Sequence, residues 1–415
     1  MPQPQVSEER SKKRFAYVDG VRGYLIFTMT VGHVGVVGLN PNLNFLTHKP
    51  WVVFLSGEGF MLVSGFMTGF MMFHIFRKRG SLSALYWALT RSLKIVVYYL
   101  GVLALCMAPA LVLGLEGTTA DRLFHNLDIF AIDTLALFAS GVYRPAFFDI
   151  LHLYVFYIAI TPIFLVLLFS RVWWLCITLS GLLWLLTQYG TAERALTAFL
   201  GYVPAIDIEA MGAFHAFAWQ LIFFLGCALG ALLPRLQLTV RDMAQKINIV
   251  YIDILFAVAL SFISLRLLQV AGLISVGGIS DGYFKAAPMT LLNFLVVAAL
   301  VVFLISDASL QGSRFRPVLM VLRTCLRAIF LFAPFRVIGS KTLQTFSCSI
   351  VVSFWLAYLV PQGTQIDMLG NVVNLLVLML IIYGFALVLN RKSQKPKPVA
   401  AGADLTPSQQ KDGTA

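Results

Sequence analysis

The chain has 415 residues, of which 59% are hydrophobic and only 12% are charged. Its mean hydropathy of +0.84 excludes an ordinary soluble domain and indicates a polytopic membrane protein. The net charge of +12 is spread over short breaks between apolar runs, which argues against a nucleic-acid partner. The five cysteines are scattered and odd in number, so we expect neither a disulfide framework nor a bound metal ion.

In chain order, ten apolar runs reach spanning length, roughly 18–25 residues. They cover residues 16–38, 52–75, 86–114, 149–170, 172–189, 214–234, 248–270, 287–306, 338–360 and 369–390. Two weaker segments, 121–139 and 315–332, carry charges at helical spacing, which predicts interfacial or re-entrant helices. The predicted fold class is therefore an all-α polytopic membrane protein, with these ten transmembrane helices in one bundle.

The basic residues predict how the chain is oriented. With a cytoplasmic N-terminus, 24 Lys and Arg residues fall on the inner side and 5 on the outer side, and Arg22 and Arg266 lie inside helices. This asymmetry predicts that both termini are cytoplasmic. We expect a basic N-terminal tail over 1–14, a transmembrane domain over 15–390 and a disordered polar tail over 391–415. No internal repeat is visible, which counts against inverted-repeat transporter architectures.

The first helix carries three ionisable residues, Asp19, Arg22 and His33. Arg22 and His33 differ by only about 20° around the helix axis and lie about 16 Å apart along it. Ionisable side chains in a bilayer face the protein interior or a wet cavity, so this face is buried. Two interpretations stay open: a functional site, or a structural Asp19–Arg22 ion pair beside a hydrogen-bonded core histidine.

The second helix contains an acid, Glu58, in an otherwise apolar segment. A buried carboxylate needs a partner, and His33 is a suitable one. A carboxylate beside a histidine raises the basicity of the imidazole and fixes its tautomer, as a general base requires. Four glycines on this helix predict close packing of a neighbouring helix; they are Gly57, Gly59, Gly65 and Gly69.

Further polar groups cluster at the predicted outer ends of later helices. Asp149 and His152 lie one turn apart, and His215 precedes Trp219 and Gln220 at the start of another helix. Aromatic rings beside carboxylates and amides are typical of carbohydrate-binding surfaces, because sugar faces stack and hydroxyls need acceptors. The alternative is an interfacial aromatic belt.

These motifs resemble those of known membrane acyltransferases. Asp19, Arg22-Gly23 and His33 resemble the first-helix signature of the transmembrane acyltransferase superfamily. Later motifs resemble the osmoregulated periplasmic glucan succinyltransferase C (OpgC) family: Glu58 with Ser64-Gly65-Phe66, Asp149-Ile150-Leu151 with Leu153-Tyr154, Trp219-Gln220 with Phe224 and Gly226, and Gly339 with Leu343 and Phe346-Ser347. The matches span about residues 14–360. The chain departs from the pattern at His152, where the family has proline, and at Ser349, where it often has histidine.

The resemblance implies transfer of an acyl group, succinyl above all, from cytoplasmic acyl-CoA to hydroxyls of a periplasmic glucan. It implies a bacterial inner-membrane location, acyl-CoA as co-substrate with no permanently bound cofactor, and a glucan or related carbohydrate and membrane lipids as partners. A homodimer is left open. The implied site residues are His33 and Glu58 for catalysis, Asp19, Arg22 and Ser64 for the donor, and Asp149, His152, Tyr154, Trp219 and Gln220 for the acceptor.

Two routes and two other functions stay open. His33 could act as general base in a direct attack, or carry the acyl group itself in a ping-pong route. An O-acetyltransferase acting on another cell-surface polysaccharide or lipid headgroup would use the same motifs. A proton-coupled transporter would also place Arg, His and Glu inside a helix bundle. Release of CoA by purified protein would separate the enzymes from the transporter.

Overall fold

The protein is represented by a computed structural model, which describes residues 4–190, 214–274 and 285–394. Side chains are described for residues 16–190, 214–274 and 285–391. In these ranges the chain is helical and contains no β-strand, apart from one isolated bridge between Thr118 and Pro361. The predicted all-α class is therefore confirmed.

The helices are numbered in chain order. They are α1 (Pro4–Val37), a 3₁₀ helix (Asn42–Leu46), α2 (Ser56–Met107), α3 (Ala110–Leu113), α4 (Thr119–Leu123), α5 (Ile132–Ser140), α6 (Asp149–Phe169), α7 (Trp173–Gln188), α8 (Ala216–Arg235), α9 (Val240–Lys246), α10 (Ile249–Val270), α11 (Pro288–Ile305), α12 (Arg316–Leu331), α13 (Ala333–Ser340), α14 (Thr342–Tyr358) and α15 (Met368–Gln394).

Several of these helices are long and apolar enough to cross a membrane, as a multi-pass protein requires. In the described part of the chain there are seven such helices, or eight if α12 and α13, bent by 54°, form one span. This count does not settle the predicted number of ten, because it takes α2 as one helix and leaves out the shorter apolar helices α7 and α14. Gly80 interrupts α2 with φ of 81° and ψ of 177°, between the two predicted runs 52–75 and 86–114.

The weaker segments differ in outcome. Residues 121–139 do not form one helix; they are divided between α4 and α5, because left-handed residues at His125 and Asn126 break the helix. Residues 315–332 form α12. The predicted domain boundaries at 14 and 390 stay predictions, although α1 and α15 continue past both positions.

Close backbone contacts at glycines hold α2 against α8. A Cβ atom on Gly65 or Gly69 would overlap the carbonyl oxygen of Phe223 or Cys227, and one on Gly226 would overlap that of Leu62. Small residues at four-residue spacing let two helices approach this closely. The predicted packing role of the α2 glycines is therefore confirmed at Gly65 and Gly69.

The same device holds α1 against α12 and α13. A Cβ on Gly20 or Gly23 would overlap the carbonyl oxygen of Phe330 or Phe335, and one on Gly339 would overlap that of Asp19. Since Asp19 and Arg22 lie on this half of α1, the backbone that carries both residues has little room to move.

The connection between α1 and α2, residues 38–55, returns into the bundle; we call it the re-entrant connection. Its His48 lies 3.4 Å from the Tyr24 hydroxyl of α1, and Val53 donates a 2.8 Å hydrogen bond to the Asn293 side chain of α11. A Cβ on Gly59, in the first turns of α2, would contact Leu25 of α1. Leu25 lies twelve residues before Val37, the last residue of α1, which is about 18 Å along the helix axis. The second helix thus begins at Ser56 and not at the predicted residue 52, and its first turns already lie inside the bundle.

We expect Gly65→Ala to destabilise the fold, since the new methyl group meets the Phe223 carbonyl. Overpacking of this kind costs about 1–3 kcal/mol. Gly101→Ala is the matched control, because Gly101 lies in α2 with nothing within contact of its Cβ position. Thermal unfolding of the purified protein in detergent should show a lower midpoint for Gly65→Ala only. Equal midpoints would contradict the packing role.

Candidate active site

The first helix, α1, carries Arg22 without an ion-pair partner among the described residues. Asp19 and Arg22 act on each other electrostatically, but the described residues include no ion pair between them. The Arg22 Nε atom is buried and has no hydrogen-bond partner in the described structure. The structural Asp19–Arg22 ion pair, one of the two interpretations above, is therefore not formed.

Three helices bring Arg22, Ser64 and Tyr154 together. The Tyr154 hydroxyl of α6 donates a 3.2 Å hydrogen bond to the Phe60 carbonyl of α2. Ser64 lies beside the same hydroxyl, and Arg22 of α1 is close enough to act on it electrostatically. Tyr154 was expected on the acceptor side, whereas here it accompanies the two residues expected for the donor.

His33 is buried between an aromatic ring and a serine. Its ring stacks on Phe147 with centroids 3.9 Å apart, and its Nδ1 lies 3.5 Å from the Ser353 hydroxyl of α14. Phe147 has φ of 71°, which is rare for a bulky residue and costs energy that the surrounding contacts must offset. The strained backbone positions the Phe147 ring against the imidazole.

Glu58 is fully buried in the first turn of α2. Neither carboxylate oxygen makes a hydrogen bond of regular geometry to a described residue, although the backbone N–H groups of Leu55 and Glu58 lie close by and the helix dipole favours an acid at this end. The expected hydrogen bond to His33 is absent. Gly59 packs at Leu25, and eight residues separate Leu25 from His33, or about 12 Å along the axis. The orienting role predicted for Glu58 thus lacks a direct contact.

The re-entrant connection brings two further basic residues into the bundle. Lys49 Nζ lies 3.6 Å from the Cβ position of Gly32, the neighbour of His33. Burial, together with the charge of Lys49, lowers the pKa of His48 to about 4. His48 is therefore neutral at physiological pH, and its Nε2 makes no hydrogen bond of regular geometry, although the Leu55 backbone acts on the ring.

The predicted acceptor residues are dispersed and mostly engaged by the protein. Asp149 forms an ion pair with Arg144 at 3.3 Å. His152 packs against Gly141 and faces the Phe156 ring at 4.9 Å. Trp219 is fully buried and reaches the Cβ position of Gly57 at 2.7 Å. Their binding roles stay predictions.

Gln220 connects α8 to α7. Its Oε1 accepts a 2.7 Å hydrogen bond from the Ser180 hydroxyl. Its Nε2 donates to the carbonyls of Ser180 at 2.8 Å and of Phe217 at 3.1 Å. The amide is thus occupied within the fold, which leaves little capacity for an acceptor sugar.

Four residues beside the site were not among the predicted site residues: Ser353, Phe147, Lys49 and Arg144. No spacing rule connects Ser353 to His33, because 320 positions separate them. The described ranges contain no group of three or more His, Cys, Asp or Glu residues able to hold a metal ion.

Comparison with known proteins gives one match. The model of the family described as OpgC protein matches residues 14–394. Neither the curated proteins nor the solved structures give a match.

A double-mutant cycle tests the connection between α7 and α8. We expect Gln220→Leu and Ser180→Ala each to lower the free energy of unfolding by about 0.5–1.5 kcal/mol, the net value of one hydrogen bond. The double variant should lose less than the sum of the two, because both changes remove the same interaction. Thermal and denaturant unfolding in detergent measure this coupling, and strictly additive losses would contradict it.

Proposed function

Since the chain belongs to the OpgC protein family of membrane acyltransferases, we propose that it moves a succinyl group from cytoplasmic acyl-CoA to hydroxyls of a periplasmic glucan. The observation that carries the proposal is a pair of basic groups on one face of α1, the half-buried Arg22 and the buried His33. Arg22 lies towards the predicted inner side beside Ser64 and Tyr154, and His33 lies about 16 Å further along the helix.

Arg22 binds the donor in this proposal. A guanidinium is always charged and offers several N–H donors in a fixed plane, which suits phosphate oxygens. The unpaired Nε–H of Arg22 is available as a donor for such a group, whereas the Tyr154 hydroxyl proton is already donated to the Phe60 carbonyl. The acyl end of the donor then extends along the buried face of α1 towards His33.

His33 acts as general base in the direct route. The acceptor hydroxyl oxygen attacks the thioester carbonyl carbon while the imidazole takes the hydroxyl proton. The new C–O bond forms, the C–S bond breaks, and the sulfur leaves as a thiolate that receives a proton to give free CoA. The Ser353 contact at Nδ1 leaves Nε2 of the ring for the reacting hydroxyl.

Glu58 contributes through the substrate and not through His33. Its two buried oxygens make no hydrogen bond of regular geometry to a described residue and have only nearby backbone N–H groups beside them, so a bound hydroxyl group can donate a hydrogen bond to them. An unpaired buried carboxylate is costly, and a sugar hydroxyl would reduce this cost. The proposal keeps the acceptor-binding role for three residues near the N-terminal ends of α6 and α8: Asp149, His152 and Trp219.

We expect His33→Ala to reduce acyl transfer by about 10²–10⁴-fold, the usual contribution of a general base. Acyl-CoA should still bind, because its phosphates are held elsewhere. Transfer is followed as CoA release that depends on added glucan, and by mass spectrometry of the glucan. Full activity of His33→Ala would contradict the site. A stable acyl group mapped to His33 in the absence of acceptor would replace the direct route by the ping-pong route.

We expect Arg22→Ala to weaken acyl-CoA binding about tenfold or more, since a charge-assisted hydrogen bond is lost. Arg22→Lys should recover only part of this affinity, because a point charge does not reproduce the planar donor group. Arg171→Ala removes an exposed arginine and serves as the control. Calorimetry with each folded variant measures the affinity, and an unchanged value for Arg22→Ala would exclude the donor role.

A further inference from the structure

Two basic residues from different segments meet near His33. Arg266 of α10 donates from Nε to the Lys49 carbonyl at 3.3 Å and from Nη1 to Gln269 at 2.8 Å. These bonds fix the guanidinium against the re-entrant connection. The Lys49 side chain extends back to Gly32, and no described group accepts a hydrogen bond from its Nζ.

The charges around Lys49 do not balance. Burial lowers the pKa of Lys49 most, and the positive charge of Arg266 lowers it further. The negative charge of Glu58 acts in the opposite direction. Glu58 is close enough to act on Lys49 electrostatically, yet the two form no ion pair in the described structure. Lys49 is therefore influenced by a second cation, Arg266, and by one separated carboxylate, Glu58. A second anion there would offset the repulsion between the cations.

We infer that Lys49 and Arg266 form an anion subsite beside His33, which binds the free carboxylate of a dicarboxylic acyl group during its transfer. This inference rests on the proposed acyl transfer and names the residues that select the acyl group. When the thioester carbonyl lies at His33, the far end of a short dicarboxylic chain reaches towards Gly32, where Lys49 Nζ lies. The carboxylate itself is not changed in the reaction.

The position of the subsite explains why it would discriminate between donors. A monocarboxylic acyl group leaves Lys49 and Arg266 with their mutual repulsion, whereas a dicarboxylic group supplies the missing negative charge. The competing explanation gives Lys49 a purely structural role, in which its charge offsets that of Glu58 and does not contact the donor. In that case its removal would affect all acyl donors alike.

The test compares succinyl-CoA with acetyl-CoA as donors for the full-length protein, its Lys49→Gln and Arg266→Gln variants, and Lys246→Gln. Lys246 is an exposed lysine of α9 and provides the same substitution away from the site. We expect Lys49→Gln and Arg266→Gln to lower kcat/KM for succinyl-CoA about tenfold or more, as the loss of a charge-assisted hydrogen bond predicts. For acetyl-CoA we expect kcat/KM to stay at the wild-type level, and Lys246→Gln should change neither value.

Other results would overturn the inference, and they differ from failure of the proposed function. Equal losses with both donors, or a wild-type preference for acetyl-CoA, would exclude the subsite while leaving acyl transfer intact. Transfer from neither donor by the wild-type protein would instead exclude the proposed function. If the variants do not fold, inhibition of wild-type transfer decides the question. Free succinate should inhibit at lower concentration than free butyrate, and equal inhibition would overturn the subsite.

Discussion

Backbone contact at glycines is the interaction on which the arrangement of the site depends. Gly20 and Gly23 hold α1 against Phe330 and Phe335, and Gly65 holds α2 against Phe223. A carbonyl oxygen in contact with a Cα leaves no room for rotation or sliding of either helix. Arg22 and Ser64 lie on these tightly packed stretches. The packing of the backbone therefore sets their distance from Tyr154, and no bond between the Arg22 and Ser64 side chains is needed.

Such a site leaves a set of buried polar atoms without partners. Four buried atoms make no hydrogen bond of regular geometry in the described structure: Arg22 Nε, both Glu58 oxygens and His48 Nε2. Each unpaired buried group destabilises the fold, and such groups in a membrane protein mark functional positions. These four atoms lie around α1 and the start of α2, where the proposed substrates would supply hydrogen-bond partners.

The sequence predicts those features that depend on helix geometry alone. Arg22 and His33 share a face because eleven residues are close to three whole turns, and Gly65 with Gly69 predicts a close helix contact from spacing. By contrast, the return of Lys49 into the bundle depends on contacts such as the bond from Val53 to Asn293, 240 residues away. No local pattern encodes such a path. The engagement of Gln220 by Ser180 likewise requires knowledge of which helices are neighbours.

The distance between the two basic groups on α1 restricts the kind of ligand that uses both. About 16 Å separates Arg22 from His33, so no small ion or metabolite contacts them together. A donor with phosphates at one end and a reactive thioester at the end of a flexible arm meets this requirement, because its arm can lie along the buried face between them. A transported proton would instead need closely spaced titratable groups along this face. Thr30 lies on this face between Arg22 and His33, and its hydroxyl donates a 2.8 Å hydrogen bond to the Ile26 carbonyl. Because this proton is already used within the helix, the face suits an extended substrate arm better than a proton relay.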